Sequence, residues 1–245
     1  MKRRVLLTVL IALLGLAPAA AAPARVAADQ PIVLAAASLT EVLPKIEPDA
    51  RYSFAGSNTL AAQIRQGAPF DVFLSANTTY PQQLYQQGLV RKPVAFATNS
   101  LVLVVPRSNP QRIKTVFDLA RRPKLRLVVA GPAVPIGLYT RECLKRLGLL
   151  RVLKKTVSLE PDVKGIVGKV ALGEADAGFV YRTDVAPVAG KVKSIQLPRR
   201  AQPTVLYEGA IAAHPQSLES AQSFLIELLS TSGRRQLRAA GFGLP

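Results

Sequence analysis

Buried apolar runs alternate with segments of helical periodicity from about residue 30 to the end of the chain. The runs at Gln30–Ala36, Leu101–Val105 and Ala177–Tyr181 predict strands that are covered on both faces. The other predicted strands are 52–54, 71–75, 125–130, 157–159, 195–197 and 205–212. The predicted helices are 39–46, 59–66, 81–87, 115–120, 136–147, 162–172, 218–230 and 233–239. This alternation predicts an α/β fold in which helices cover both faces of largely parallel sheets.

The first 28 residues have a different pattern. A basic start at 2–4 precedes an apolar run at Val5–Leu16 and an alanine-rich stretch up to Ala28. This order is typical of a secretory signal peptide, and several cleavage frames compete between Ala19 and Ala28. The apolar run is shorter than the roughly 20 residues that a membrane-spanning helix needs. We therefore expect an exported, soluble protein of the periplasm.

The chain contains one cysteine, Cys143, which lies on a predicted helix far from the signal peptide. A single cysteine excludes an intramolecular disulfide. Its position also excludes a lipid-anchored cysteine at the mature N-terminus, so we expect the exported protein not to be lipid-anchored.

Charge divides the mature chain into a basic middle segment and neutral flanks. Residues 103–206 contain 20 Lys and Arg against 7 Asp and Glu, whereas residues 29–102 and 207–245 together contain eight of each. This predicts two lobes, with 29–102 and 207–245 forming lobe 1 and 103–206 forming a basic lobe 2. The basic residues occur mostly in pairs without interleaved aromatic residues, which argues against nucleic-acid binding. The basic segment could form a solvated surface without a specific role, or its electrostatic field could attract anions.

The stretch Ser53–Asn77 contains one complete strand–turn–helix–strand unit. Its turn at 55–58 is rich in Gly, Ser and Asn and leads into a helix. Such a turn presents free backbone N–H groups and hydroxyls, which together can bind an anion. The alternative is that Ser57 and Asn58 only cap the helix.

Five positions lie at predicted strand ends or helix starts, where open α/β sheets bind their ligands. None of them brings a positive side chain, so together they would offer only hydroxyl and backbone N–H donors. That donor set suits a small dianion held by hydrogen bonds and helix dipoles. The five positions are Ser38, Ser57, Ile136, Val163 and Tyr181.

Simpler explanations exist at Tyr181 and at the residues that precede Ile136 and Val163. Tyr181 could be a core tyrosine whose hydroxyl bonds to the backbone. Pro135 could merely open a helix, which would still leave the N–H of Ile136 free. Asp162 is expected to cap the next helix while Val163 offers its N–H.

Several motifs resemble the molybdate-binding proteins of molybdenum ABC transporters, in the same order and spacing. They are AAASLTEVLPKI (35–46), FAGSNTLAAQIRQGAPFDVFLSAN (54–77), AGPAVPIGLYTRECLKRLG (130–148), DVKGIVGKVALGEADAGFVYRTD (162–184) and LRAAGF (237–242). The resemblance implies a two-lobed type II periplasmic-binding-protein fold: two mixed sheets flanked by helices and joined by a two-segment hinge. We expect the hinge near Val102–Arg107 and Pro203–Glu208.

The resemblance also implies a function and a role for each site residue. Ser38 and Ser57 would bind the oxyanion through hydroxyl and N–H, Ile136 and Val163 through N–H, and Tyr181 through its hydroxyl. The ligand would be molybdate or tungstate, with no cofactor and no direct protein ligand to the molybdenum. A monomeric protein would deliver it to an inner-membrane ABC permease.

The chain departs from the family pattern at four places, which puts ligand discrimination in question. Asn58 replaces a frequent second serine, Ile136 replaces a usual alanine, and Arg182 follows Tyr181 where a small residue is common. The segment between Ser38 and Ser57 is also short, so the first helix should be clipped.

Two other function classes and other small oxyanion ligands are alternatives to this assignment. A serine hydrolase would need a general base, but the one histidine, His214, precedes a proline in a predicted loop, and no GxSxG motif occurs. A nucleic-acid binder is indicated by charge alone. Within the binding class the alternatives are sulfate, phosphate or another small oxyanion. Phosphate carries a proton near neutral pH and would want an acceptor carboxylate in the site.

Overall fold

A computed structural model describes residues 30–245, which form two lobes, each built on a five-stranded mixed sheet. The predicted signal peptide at 1–28 and its cleavage region lie outside the described residues. In the described part of the chain, no helix combines the length and apolar character needed to cross a membrane.

Lobe 1 is formed by the first and last parts of the chain. Its first part contains β1 (Ile32–Ala36), a 3₁₀ turn (Ala37–Leu39), α1 (Leu43–Ile46), β2 (Arg51–Ala55), α2 (Ser57–Arg65), β3 (Val72–Ser75), α3 (Thr79–Gln86) and β4 (Val94–Asn99). The lobe is completed after lobe 2 by β10 (Val205–Ile211), α7 (Leu218–Leu229) and α8 (Thr231–Ala239). As predicted, the first helix is clipped, to one turn.

Lobe 2 is formed by the continuous middle of the chain. It contains β5 (Leu101–Pro106), α4 (Asp118–Arg121), β6 (Leu127–Ala130), α5 (Pro135–Arg146), β7 (Thr156–Glu160), α6 (Val163–Ala171), β8 (Ala177–Tyr181) and β9 (Val192–Gln196). Short 3₁₀ segments at Leu150–Lys155, Arg182–Asp184, Ala186–Val188 and Arg199–Ala201 connect these elements.

The two sheets repeat one topology. The strand order is β2-β1-β3-β10-β4 in lobe 1 and β7-β6-β8-β5-β9 in lobe 2. In each sheet three parallel strands are followed by one antiparallel strand and an edge strand paired antiparallel to it. This confirms the predicted two-lobed α/β fold with mixed sheets.

The chain crosses between lobes at two places close to each other. All of β5 pairs in the second sheet and Val205 already pairs with Asn99 in the first, so the crossovers lie at Ser100 and 202–204. The boundary predicted after residue 102 and the hinge near 102–107 therefore fall within β5, and most of the hinge near 203–208 falls within β10. The sequence pattern missed β4, because this edge strand is only partly buried and its apolar run covers only the four residues 94–97.

One side chain joins the two crossovers. The Gln202 amide donates to the carbonyl of Leu101 at 2.8 Å and accepts from the Leu101 N–H at 2.9 Å. This pair of bonds imitates a step of strand pairing and keeps the two connecting segments together.

Cys143 lies on α5 and is fully buried in lobe 2. Burial raises the pKa of its thiol to about 11, so the sulfur stays protonated near neutral pH.

Candidate anion-binding site

A small cavity lies between the lobes, and all five predicted positions line it. From lobe 1 the lining is Ala36, Ala37, Ser38, Ala55, Gly56, Ser57 and Ala76, and from lobe 2 it is Val134, Pro135, Ile136, Asp162, Val163 and Tyr181. Its volume is about 20 Å³. A single water needs roughly 10–15 Å³ on this measure, so the cavity accommodates one small ion and excludes a larger organic ligand.

Three helices direct their N-termini at this cavity. Ser57 is the first residue of α2, Ile136 is the second of α5, and Val163 is the first of α6. The first N–H groups of a helix have no acceptor within the helix, and the helix dipole places partial positive charge there. The cavity therefore combines free donors with a favourable field for an anion.

Ser57 does not cap α2. The N-cap residue is Gly56, and no side chain makes a capping bond at this helix. Instead, the buried Ser57 Oγ accepts a hydrogen bond from the Ala76 N–H at 3.1 Å. The capping alternative is therefore wrong for Ser57. Because its oxygen is used as an acceptor, its hydrogen remains available to donate into the cavity.

Tyr181 ends β8 and is 1% exposed, and its hydroxyl has no hydrogen-bond partner among residues 30–245. This contradicts the alternative of a core tyrosine that bonds to the backbone. The ring packs edge-on against Tyr139 and Tyr207, and burial raises the pKa of Tyr181 well above its usual value. The hydroxyl thus remains a proton donor, and a buried donor without a partner points to an acceptor that the protein itself does not supply.

Ile136 and Val163 line the cavity and are buried at 1% and 3% exposure. Their side chains are apolar, so the main-chain N–H is the only donor that either residue could offer. The predicted cap at Asp162 is confirmed, since its carboxylate accepts from the Gly165 N–H at 3.1 Å.

The lining contains no Lys, Arg or His, and its one charged residue is the capping Asp162. Lys164 follows in α6 and pairs with the buried Asp184 at 3.5 Å and with Glu41 at 3.5 Å. Burial raises the pKa of Asp184 to about 6, and the Lys164 ammonium opposes that rise. The cavity itself therefore presents neutral donors.

The other departures from the family pattern lie outside the lining. The exposed Arg182 side chain donates to the Gly241 carbonyl at 2.7 Å. The Asn58 Oδ1 is buried without a partner in the described chain, next to Gly56.

His214 is exposed in a loop, so it cannot serve the cavity as a base.

The lobes are closed over the cavity. The Tyr80 hydroxyl of lobe 1 donates to the Ala133 carbonyl of lobe 2. Glu41 pairs with Lys164 across the cleft, and the Arg182–Gly241 bond joins the lobes at another point. These three contacts hold the two lobes together on the cleft that contains the cavity.

Comparison with known proteins gives a consistent picture. The family profile of bacterial extracellular solute-binding proteins matches residues 33–243. The molybdate-binding protein ModA of Mycobacterium tuberculosis is 36% identical over 224 residues, covering 87% of this chain and 84% of the relative. ModA of Haemophilus influenzae is 31% identical over 261 residues, covering 99% of both chains. The solved Azotobacter vinelandii periplasmic molybdate-binding protein shares the fold, with a TM-score of 0.79 at 24% identity, covering 88% of this chain and 100% of its own.

Two features of the site were not predicted from the sequence. Tyr207 lies on β10 and places its hydroxyl 2.9 Å from Ser38 Oγ. Gly56 brings the turn before α2 against the carbonyl of Pro161 in lobe 2. Both contacts join segments that are distant along the chain, so no local pattern indicates them.

Proposed function

Because the chain belongs to the bacterial extracellular solute-binding proteins and has ModA molybdate-binding proteins as relatives, we propose that it captures molybdate, and also tungstate, for an ABC importer. The unpartnered, buried hydroxyl of Tyr181 carries the proposal, since it lies in a cavity between the lobes with three helix N-termini and no cationic side chain. The five positions Ser38, Ser57, Ile136, Val163 and Tyr181 would hold the oxygens of the anion.

The donor set accounts for binding without a salt bridge. Each hydrogen bond to a charged acceptor contributes about 1.5–3 kcal/mol net. Six or seven such bonds, less the costs of desolvation and closure, are compatible with a dissociation constant of about micromolar or tighter. The molybdenum would be reached only through its oxygens, because the lining offers no thiol or imidazole and its one carboxylate caps a helix.

The same chemistry separates the alternative ligands. Phosphate near neutral pH carries a proton that needs an acceptor, and Oδ1 of the one lining carboxylate, Asp162, already accepts from the Gly165 N–H, which leaves only its Oδ2. Sulfate has the right charge but is smaller, so it would reach fewer of the donors at once. Sulfate is therefore the competitor that matters most.

The proposed cycle uses the two crossovers as a hinge. The open protein admits the anion, the lobes rotate about Ser100 and 202–204, and donors from both sides converge on the ligand. Water leaves, which strengthens each hydrogen bond in the less polar surroundings. The closed form then docks on an inner-membrane permease, which receives the anion.

We propose that the mature protein works as a periplasmic monomer without a lipid anchor, after removal of the signal peptide. The ModA relatives are molybdate-binding proteins, and the one histidine of the chain, His214, lies outside the cavity lining, so a hydrolase is not favoured. Neither stacking aromatics nor a recognised motif favours a nucleic-acid partner.

Calorimetric titration of the mature protein with molybdate, tungstate, sulfate and phosphate tests the function. We expect binding of one equivalent of molybdate or tungstate at about micromolar or tighter, and at least tenfold weaker binding of sulfate and phosphate. Tighter binding of sulfate, or no binding of any of the four, would overturn the proposal.

Replacement of Ser57 by alanine should weaken molybdate binding about tenfold or more, because one charge-assisted bond is lost. Calorimetry measures the effect. The control is Ser217→Ala, which removes the side-chain cap of α7 far from the cavity and should reduce stability by about 1 kcal/mol without changing affinity. Unchanged affinity in the Ser57 variant would show that its hydroxyl does not contact the ligand.

Replacement of Glu41 by glutamine should weaken binding only about two- to threefold at low salt, because an exposed ion pair contributes about 0.2–1 kcal/mol. The loss should disappear at high ionic strength. Glu142→Gln breaks a comparable ion pair to Arg146 within α5 and should leave affinity unchanged at both salt concentrations. Equal effects of the two variants would exclude a role for Glu41 in closure.

A further inference from the structure

A chain of buried hydrogen bonds leads from the cavity to the first crossover. Ser38 Oγ lies 2.9 Å from the Tyr207 hydroxyl, and Tyr207 accepts from the Asn99 side-chain amide at 3.4 Å. The same amide nitrogen donates to Thr183 Oγ1 in lobe 2 at 2.9 Å. Tyr207 is fully buried and Ser38 is 5% exposed, so water has little access to this chain of bonds.

The orientation of Asn99 is fixed by its neighbours. Its Oδ1 accepts from the N–H of Ser100 at 2.9 Å, so the Nδ2 group must face Tyr207 and Thr183. One N–H of this group is directed to each of the two hydroxyl oxygens. Asn99 is therefore the donor in its contact with Tyr207, and the tyrosine oxygen is the acceptor.

This assignment sets the direction of the next bond. A tyrosine hydroxyl has one hydrogen, and Ser38 Oγ is the remaining polar atom in hydrogen-bond contact with it among the described residues. Burial raises the pKa of Tyr207, so its hydrogen stays in place at neutral pH. Tyr207 thus donates to Ser38 Oγ, and the hydrogen of the serine must turn elsewhere. Ser38 borders the cavity, where a bound anion would supply an acceptor, and it also borders a separate surface pocket beside Glu41 and Thr183.

We propose that Tyr207, held by Asn99, is a positioning residue that turns the hydroxyl hydrogen of Ser38 toward the bound oxyanion. The inference rests on the proposed function and adds a residue that does not itself touch the ligand. It makes Ser38 a donor that is oriented before the anion arrives. The three groups that set this orientation, Ser38, Tyr207 and Asn99, all belong to lobe 1, so it does not require closure. The bond from Asn99 to Thr183 links the same amide to lobe 2.

A double-mutant cycle tests this role. Tyr207→Phe should weaken molybdate binding roughly 3- to 10-fold, the effect of one neutral hydrogen bond that orients a donor. In a Ser38→Ala background the same change should alter affinity less than twofold, because the hydroxyl that Tyr207 orients is gone. A full effect of Tyr207→Phe in that background, or no effect in the wild-type background, would overturn the proposal.

Tyr139→Phe is the matched control, because it removes a hydroxyl from the same aromatic cluster outside the cavity lining. It should leave affinity unchanged, and a loss as large as that of Tyr207→Phe would overturn the proposal in favour of general loosening of the cluster. If Tyr207→Phe does not fold, Asn99→Ala in the same cycle replaces it. Without the amide donor Tyr207 can accept from Ser38, so affinity should fall in the wild-type background and not with Ser38→Ala. Failure of the wild-type protein to bind molybdate or tungstate would instead refute the function itself.

Discussion

Replacing Gly56 with alanine should abolish tight molybdate binding, with a loss on the order of 100-fold, while leaving the ligand-free protein folded. A Cβ at this position would lie far inside the van der Waals distance of the Pro161 carbonyl oxygen, which belongs to the other lobe. Backbone cannot move aside as a flexible side chain can, and overpacking of this kind typically costs about 1–3 kcal/mol. The added methyl group therefore acts as a wedge against closure.

The backbone of Gly56 itself gives no reason for instability in the variant. Its φ of −60° and ψ of 136° are accessible to alanine. The second close atom, Asn58 Oδ1, has no hydrogen-bond partner within residues 30–245, so rotating this amide away costs at most the 3.4 Å bond from its Nδ2 to Thr59 Oγ1. We expect the melting temperature of the free variant to stay within a few degrees of wild type, with calorimetry showing the loss of affinity.

Gly168→Ala is the control for this steric effect. Gly168 lies on α6, and a Cβ there would meet open space. Alanine should raise helix stability by about 1 kcal/mol and leave affinity unchanged. If Gly56→Ala binds molybdate as well as wild type does, the cleft does not close in the way that the structure shows.

The local chemistry of the site could be predicted because it depends on short-range rules. A strand end followed by a helix start leaves free N–H groups whatever the rest of the chain does. That rule predicts free N–H groups at Ser57, Ile136 and Val163. Each of these residues lies at the N-terminus of a helix that borders the cavity. Their convergence followed from the rule that ligands bind at the carboxyl ends of parallel strands.

The interactions between distant segments could not be predicted in this way. β4 is a partly buried edge strand whose apolar run covers only 94–97, so the pattern does not predict it. The predicted lobe boundary rests on the division of charge after residue 102, and that division falls inside β5 instead of at the crossover. Tyr207 is unremarkable within its strand and acquires a role only because β10 brings it to Ser38, 169 residues earlier in the chain. The contact of Gly56 with Pro161 likewise exists only when two lobes meet.

Tyr181→Phe should weaken binding without lowering stability. The hydroxyl offers one hydrogen bond to the anion, so its removal should weaken molybdate binding roughly 10- to 100-fold. The same hydroxyl has no hydrogen-bond partner among residues 30–245, so phenylalanine removes no bond within the protein and should leave its stability unchanged or slightly higher. Thermal unfolding with and without molybdate measures both effects: the free variant should melt at or above the wild-type temperature, and the ligand should raise that temperature by less than in wild type.

A loss of affinity without a loss of stability distinguishes a contact with the ligand from a role in packing. Replacing a residue that only fills space should lower both the stability of the protein and its affinity for the ligand. Replacing a hydroxyl that only donates to the ligand should lower the affinity alone. Tyr139→Phe provides the comparison, since its ring packs against that of Tyr181 but does not line the cavity, and it should change affinity less than twofold. If Tyr181→Phe keeps wild-type affinity, the hydroxyl is not directed at the anion. The ligand would then have to be held by the helix N-termini and the two serines, which the Ser57 variant measures independently.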